Sequence, residues 1–232
     1  MAHILRNPLV CVPSVSQVHP ALSHALPVID ALAEAGDALG GVSRRSLEWA
    51  GQAEVIEGLV TSHGHGVYSI PYLAPEFCAA LVEEASRMNY AVNEDEDVSV
   101  QIPELFLRDL CPQLHASLGA LFKRYAAPLV RLLLHVEVEQ VLSVQFARYA
   151  PENTPQSAWH TDLDSDVTLV VALSDEHKGG GTEVSPPWPA EKFTVPQLPV
   201  GHAMLFLGRT MLHRGLPVTE GTRHLLVHWT GL

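Results

Sequence analysis

His160-Thr161-Asp162 is followed, 51 residues past the aspartate, by His213, and Arg223 comes ten residues after that. Two imidazoles and one carboxylate are the donor set that holds one face of an octahedral iron(II) ion and leaves the opposite face open to substrate and oxygen. An arginine just beyond the last histidine supplies a permanent, bidentate cation for an acidic co-substrate. These types and spacings point to non-haem iron oxygenase chemistry. His-x-Asp alone is a weak signal, so its neighbourhood has to carry the reading.

The elements that would position these groups are strands. If residues 157–163 form one, His160 and Asp162 share a side, with Cα atoms roughly 6.5 Å apart, and Thr161 faces away. His213 must then come from a separate strand. In a last strand over 222–230, Arg223, Leu225, Val227 and Trp229 share one face, and His224, Leu226 and His228 share the other. An arginine at the head of an apolar inward row is costly to bury without an anion. Further short strands are expected over 140–149, 166–174, 192–196, 202–207 and 210–214, parted by Gly/Pro-rich turns, which is the pattern of a β-barrel or sandwich. Upstream, Pro75 opens a helix through Met88. Pro112 opens another, with a stripe of Leu114, Leu118, Leu121, Phe122, Tyr125 and Leu129. Residues 1–66 read as a helical and irregular extension, with helices over 21–35 (interrupted at Pro27) and 46–60, and residues 67–232 read as the β domain.

Competing readings fail or stay bland. Asp162, Asp164 and Asp166 resemble the start of a calcium loop, but the positions that need glycine and glutamate hold Val167 and Leu173. His63-Gly64-His65 reads as a turn before the strand at Val67, and the acidic run 93–97 as a solvated loop. The chain has 14 Lys+Arg against 26 Asp+Glu, a net charge of −12, which argues against nucleic acid as a partner. No apolar run approaches the roughly 20 residues of a membrane span. Cys11, Cys78 and Cys111 are widely spaced and suit a reducing compartment. The first residues, interrupted by Pro8 and Pro13, do not read as a signal peptide. A cytoplasmic location is expected.

Four stretches occur in order: QFARYAPENTP, HTD, KGGGTEV and GRTMLHRGLPVTEGTRHLLVHW. In these the chain from about 68 to 232 resembles the iron(II)- and 2-oxoglutarate-dependent dioxygenases, specifically the prolyl/lysyl hydroxylase branch and the catalytic domain of procollagen-lysine hydroxylases. The resemblance implies a mainly β fold with flanking helices, a distorted double-stranded β-helix (a jelly roll, cupin-like), carrying an N-terminal helical elaboration. It implies metal ligands at His160, Asp162 and His213 and a carboxylate anchor at Arg223. Tyr149 and Thr168 are expected to touch the co-substrate, and Gln145 to face the substrate; apart from the resemblance, Asp164 and Asp166 read as turn residues near the pocket rim, with Asp164 a candidate to attract a cationic substrate group. The implied cofactors are Fe(II), 2-oxoglutarate and O2, with ascorbate in assays, and the implied reaction is hydroxylation of an unactivated C–H bond in an amino acid, a peptide or a small molecule. The alternatives are an oxygenase of another metabolite and a non-catalytic metal or 2-oxoglutarate sensor on the same fold.

Overall fold

Alternating side chains build the sheet that carries the site. The computed structural model describes residues 4–12, 14–39, 53–95 and 101–232. Its helices are α1 (Pro8–Cys11), α2 (Pro20–Leu39), α3 (Ala53–Leu59), α4 (Pro75–Ala85), α5 (Leu107–Leu110), α6 (Pro112–Leu121) and α7 (Ala127–Leu134). The strands are β1 (Thr61–Gly64), β2 (Val67–Pro71), β3 (Glu104–Phe106), β4 (Gln140–Tyr149), β5 (Val167–Ala172), β6 (His177–Gly179), β7 (Thr182–Ser185), β8 (Phe193–Val195), β9 (His202–Leu207), β10 (Leu212–Gly215), β11 (Val218–Gly221) and β12 (Arg223–Gly231). A seven-stranded sheet runs β1-β2-β9-β5-β12-β4-β3, beside smaller sheets β10-β7-β8 and β11-β6. Every described pairing is antiparallel.

One face of the large sheet presents Val144, Phe146, Leu169, Val171, Leu205 and Leu226 to the helices. The alternate residues Gln145, Ala147, Thr168, Val170, Met204, Leu225 and Val227 face a cavity instead. The period of two therefore splits each strand between a greasy support and a site wall. Val184, Val195, Met204, Phe206 and Met211 tie the three-stranded sheet to the large one. The result is the jelly roll that the family resemblance implied.

The helical layer is equally patterned. Phe77, Cys78, Leu81 and Ala85 of α4 and Leu114, Leu118 and Leu121 of α6 are buried. A π-turn over Phe122–Ala126 joins α6 to α7, with the Ala127 N–H reaching back to the Phe122 carbonyl. Pro128 in the next turn removes an N–H, and the wider turn accommodates that loss.

Several expectations need correction. The 21–35 helix extends over Pro20–Leu39, straight through Pro27, because burial of Leu22, Ile29 and Leu32 in the shared core outweighs one missing backbone bond. The 75–88 helix stops at Ala85. The boundary expected at 66 falls inside the β1–β2 turn, since Thr61 pairs with Ser69 and Ser62 with Tyr68. Residues 157–163 form no strand; His160 makes a single bridge to His213. Residues 46–52 of the expected second helix, and Glu96 and Asp97 of the acidic run, lie outside the described residues.

His228 is the polar exception in the helix-facing layer. Its ring is fully buried, 6.0 Å from Tyr72 and stacked at 5.9 Å on Phe122. Burial, then the neighbouring His115, push its pKa down to about 3. A histidine depressed in the fold is protonated first in the unfolded chain, so stability falls as pH drops from about 6.5 toward 3. His228→Leu is expected to flatten the slope of unfolding free energy against pH in that window by about one proton. Chemical denaturation at several pH values measures this, and equal slopes in both proteins would contradict it.

Candidate active site

β10 places His213 opposite His160, and their backbones exchange two hydrogen bonds, His160 N–H to His213 O at 3.0 Å and His213 N–H to His160 O at 2.9 Å. The two rings lie 4.3 Å apart between centroids. Asp162 joins them by a different route from the expected strand alternation. Its N–H donates to Gly208 O at 3.1 Å, its carbonyl accepts from Ser165 N at 2.9 Å, and the chain turns there. The three side chains converge, with one ligand atom from each lying within 4.8 Å of the other two. His160 Nε2 is 3.6 Å from Asp162 Oδ1, and His213 Nε2 is 4.0 Å from Oδ2.

The outer contacts orient these atoms. Nδ1 of His160 is 2.9 Å from Ala158 O, and Nδ1 of His213 is 2.9 Å from Met211 O. A backbone carbonyl accepts, so each Nδ1 carries the proton and each Nε2 lone pair is left for a metal. Burial, then neighbouring His160, hold the His213 imidazole below the ordinary histidine range, favouring the neutral, ligating form. Asp162 and His213 are buried, whereas the His160 side chain is 42% exposed at the mouth. Trp159 beside it is held by Lys192 at 4.7 Å and Arg214 at 4.8 Å from its ring centre. The donor set fits iron(II): neutral nitrogens and one carboxylate converging from one side.

Thr168 lines the cavity, and its hydroxyl donates to Asp162 Oδ2 at 2.6 Å, which supports the carboxylate of the cluster. Gly208 was not singled out from the sequence, yet a Cβ there would lie 2.4 Å from Ser165 O and 2.7 Å from Thr168 Oγ1. The turn that carries Asp162 packs directly against a bare α-carbon. Ser157, also unforeseen, accepts from Gly215 N at 2.6 Å and lines the cavity beside Tyr149.

Arg223 opens β12 opposite Tyr149 of β4. It is 5% exposed and donates from Nη1 to Gly181 O at 3.0 Å, while Nε has no hydrogen-bond partner among the described residues. Burial pulls this guanidinium below its usual pKa. A buried cation with one backbone acceptor among the described residues is suited to pair with an anion. Tyr149 lies with its ring centre 5.7 Å from the guanidinium carbon, its phenol pushed up to about 12, mainly by burial, and so neutral.

His160, Asp162, His213, Arg223, Tyr149, Gln145 and Thr168 all line one cavity with an open mouth. Its remaining walls include Ile102, Val170, Leu225 and Val227. Gln145 is 2% exposed, and its Oε1 is without a partner among the described residues. Asp164 does not reach the cavity. It sits exposed in the Leu163-Asp164 turn, because the chain reverses immediately after Asp162. Asp166 is taken by Arg209 at 2.6 Å. His63 bonds Ser69 Oγ at 2.9 Å within the β1–β2 hairpin.

The support of Asp162 yields a measurable expectation. Gly208→Ala and Thr168→Val should each weaken binding of a divalent metal such as Mn(II) by about tenfold or more. Calorimetric titration checks this, and wild-type affinity in both variants would contradict it.

No family model matches the chain. A procollagen lysine hydroxylase and glycosyltransferase of Caenorhabditis elegans is 30% identical over 175 residues, covering 69% of this chain and 23% of the worm protein. A procollagen lysyl hydroxylase and glycosyltransferase of Acanthamoeba polyphaga mimivirus is 29% identical over 177 residues, covering 69% of this chain and 19% of the viral one. The chain thus spans about a quarter or less of these relatives. Among solved structures, a 2OG-Fe(II) oxygenase family oxidoreductase from Burkholderia pseudomallei superposes with TM-score 0.59 at 15% identity, covering 72% of this chain and 85% of that one. A Pseudomonas putida prolyl-4-hydroxylase superposes with TM-score 0.52 at 19% identity, covering 72% and 92%. These two share the fold. With the His-Asp-His cluster in place on that fold, and with lysine hydroxylases among its sequence relatives, the chain belongs to the iron(II)- and 2-oxoglutarate-dependent dioxygenase superfamily, in its hydroxylase branch.

Proposed function

We propose that this protein is an iron(II)- and 2-oxoglutarate-dependent hydroxylase acting on an unactivated C–H bond of a lysyl- or prolyl-type side chain, in a peptide or a free amino acid. The observation that carries the proposal is one cavity holding both a two-histidine, one-carboxylate cluster and a buried arginine. Either feature alone has many uses; together they serve a metal and a dicarboxylate at once. The named lysine hydroxylases among the relatives support the substrate class.

When bound, iron(II) with 2-oxoglutarate and O2 supplies the oxidising equivalents for inserting oxygen into a C–H bond. The rest falls to the protein. His160, Asp162 and His213 would hold the metal from one side. Arg223 would pair with the carboxylate of the co-substrate that lies away from the metal, inside a wall where water competes poorly. Tyr149, neutral and beside Arg223, offers a hydroxyl without adding charge. Apolar side chains from β4, β5 and β12 restrict the substrate to a few orientations, which is the protein's main contribution when a cofactor performs the difficult step. Ascorbate belongs in the assay to keep the iron reduced. A reducing compartment such as the cytoplasm is part of the same proposal, resting on three free thiols.

Two variants test the reading. With Fe(II), ascorbate and 2-oxoglutarate supplied, the wild type should form succinate and Asp162→Ala should form almost none; equal succinate from both ends the proposal. Arg223→Leu should raise KM for 2-oxoglutarate by about tenfold or more while Fe(II) binding stays near that of the wild type. An unchanged KM would remove the anchor role from this arginine.

A further inference from the structure

Beside Arg223, at the start of β6, lies a histidine with no part in the site described above. His177 begins β6 and pairs with Gly221 at the end of β11. Both of its ring nitrogens are buried, and neither has a hydrogen-bond partner among the described residues. Gly180 brings it close to the arginine. Gly180 has φ +82, and the point where a Cβ would sit is 3.1 Å from Arg223 Cδ, 3.4 Å from Arg223 Nε and 3.3 Å from His177 Nε2. A Cβ at residue 180 would crowd both side chains by a few tenths of an ångström; bare backbone at this point in the KGGGTEV run lets imidazole and guanidinium flank one α-carbon, with no hydrogen bond between them in this structure.

The chemistry of the pair is complementary. Arg223 Nε is a buried donor with no acceptor, and a guanidinium can donate but never accept. Burial, then the nearby Arg223, hold the His177 ring below the usual histidine range, so it is neutral and offers one lone pair. Gln197 approaches the same ring, and its Oε1 too has no partner among the described residues; it is an acceptor for the imidazole N–H. The Nη1 side of the fork is meanwhile turned to Gly181 O. We propose that His177 is a positioning residue: when the co-substrate binds, its unprotonated ring nitrogen takes Arg223 Nε–H from behind, backed by Gln197, and fixes the guanidinium so that its terminal nitrogens present end-on to the distal carboxylate. This rests on the reading of Arg223 given under the proposed function.

The test compares His177→Leu, which removes the acceptor, with His177→Gln, which keeps one. Each is loaded with Mn(II) and titrated calorimetrically with 2-oxoglutarate and with 2-oxovalerate, which has the keto acid head but no distal carboxylate. Leucine should weaken 2-oxoglutarate binding by about tenfold or more, glutamine should recover it to within about threefold, and 2-oxovalerate should bind all three proteins alike. Unchanged 2-oxoglutarate affinity in His177→Leu, or equal losses for both keto acids, would overturn the positioning role. Wild-type protein provides a second readout should the leucine variant fail to fold. With 15N-labelled histidine and Zn(II) bound, the acceptor nitrogen of His177 should shift on adding 2-oxoglutarate and not on adding 2-oxovalerate; no response to 2-oxoglutarate would also overturn it. A wild type that binds no 2-oxoglutarate by either method refutes the proposed function itself, whereas tight binding that is indifferent to residue 177 refutes only this inference.

Discussion

The structure depends on one unfavourable act, the burial of the Asp162 carboxylate beside two imidazoles. A buried carboxylate costs free energy unless hydrogen bonds or a cation compensate. Thr168 supplies one hydrogen bond, and the turn closed through Gly208 and Ser165 fixes the backbone. The histidines, with Nδ1 tied to backbone carbonyls, supply no positive charge of their own while neutral. Two imidazole nitrogens and a carboxylate oxygen converge here, and such a donor set is suited to hold a divalent cation.

The rest of the fold serves this convergence. β12 lies between β4 and β5 in the large sheet, so its cavity face sets Arg223 beside Tyr149 and Val227 beside Gln145 and Val170. Its other face is fixed by Leu226 and His228 against the helices. Packing of the α4 and α6–α7 layer thereby holds the register of the strand that carries Arg223. A one-residue slip would exchange Arg223 for His224 on the cavity wall. The glycine run between β6 and β7 closes the other side of the guanidinium, with Gly181 O as its acceptor.

Much of the site was legible in the residues. His160, Asp162, His213 and Arg223 are named by type and spacing because ligand chemistry restricts both, and period-two alternation correctly assigned the two faces of β12. What escaped was whatever depends on the path of the backbone. The segment around His160 looked like a strand, yet it makes only one bridge, because the turn at Asp162 interrupts it. Thr168 lines the cavity as expected, but sequence cannot show that the turn returns Asp162 to its hydroxyl. Asp164 lies in an exposed turn, as its spacing suggested, and does not line the cavity. Pro27 looked like a break, but tertiary burial of Leu22 and Ile29 carries α2 through it. Gly208 and His177 gave no local signal, since their importance comes from which atoms approach them in space.

The central claim is that three side chains and one arginine form a single receptor for a metal and a dicarboxylate. Anaerobic addition of Fe(II) and then 2-oxoglutarate, followed by visible absorption, addresses it most directly. The account predicts one iron per chain and a charge-transfer band that grows only when 2-oxoglutarate is added, absent in a His213→Ala protein. A wild type that takes up no stoichiometric iron, or a band that persists without His213, would contradict it.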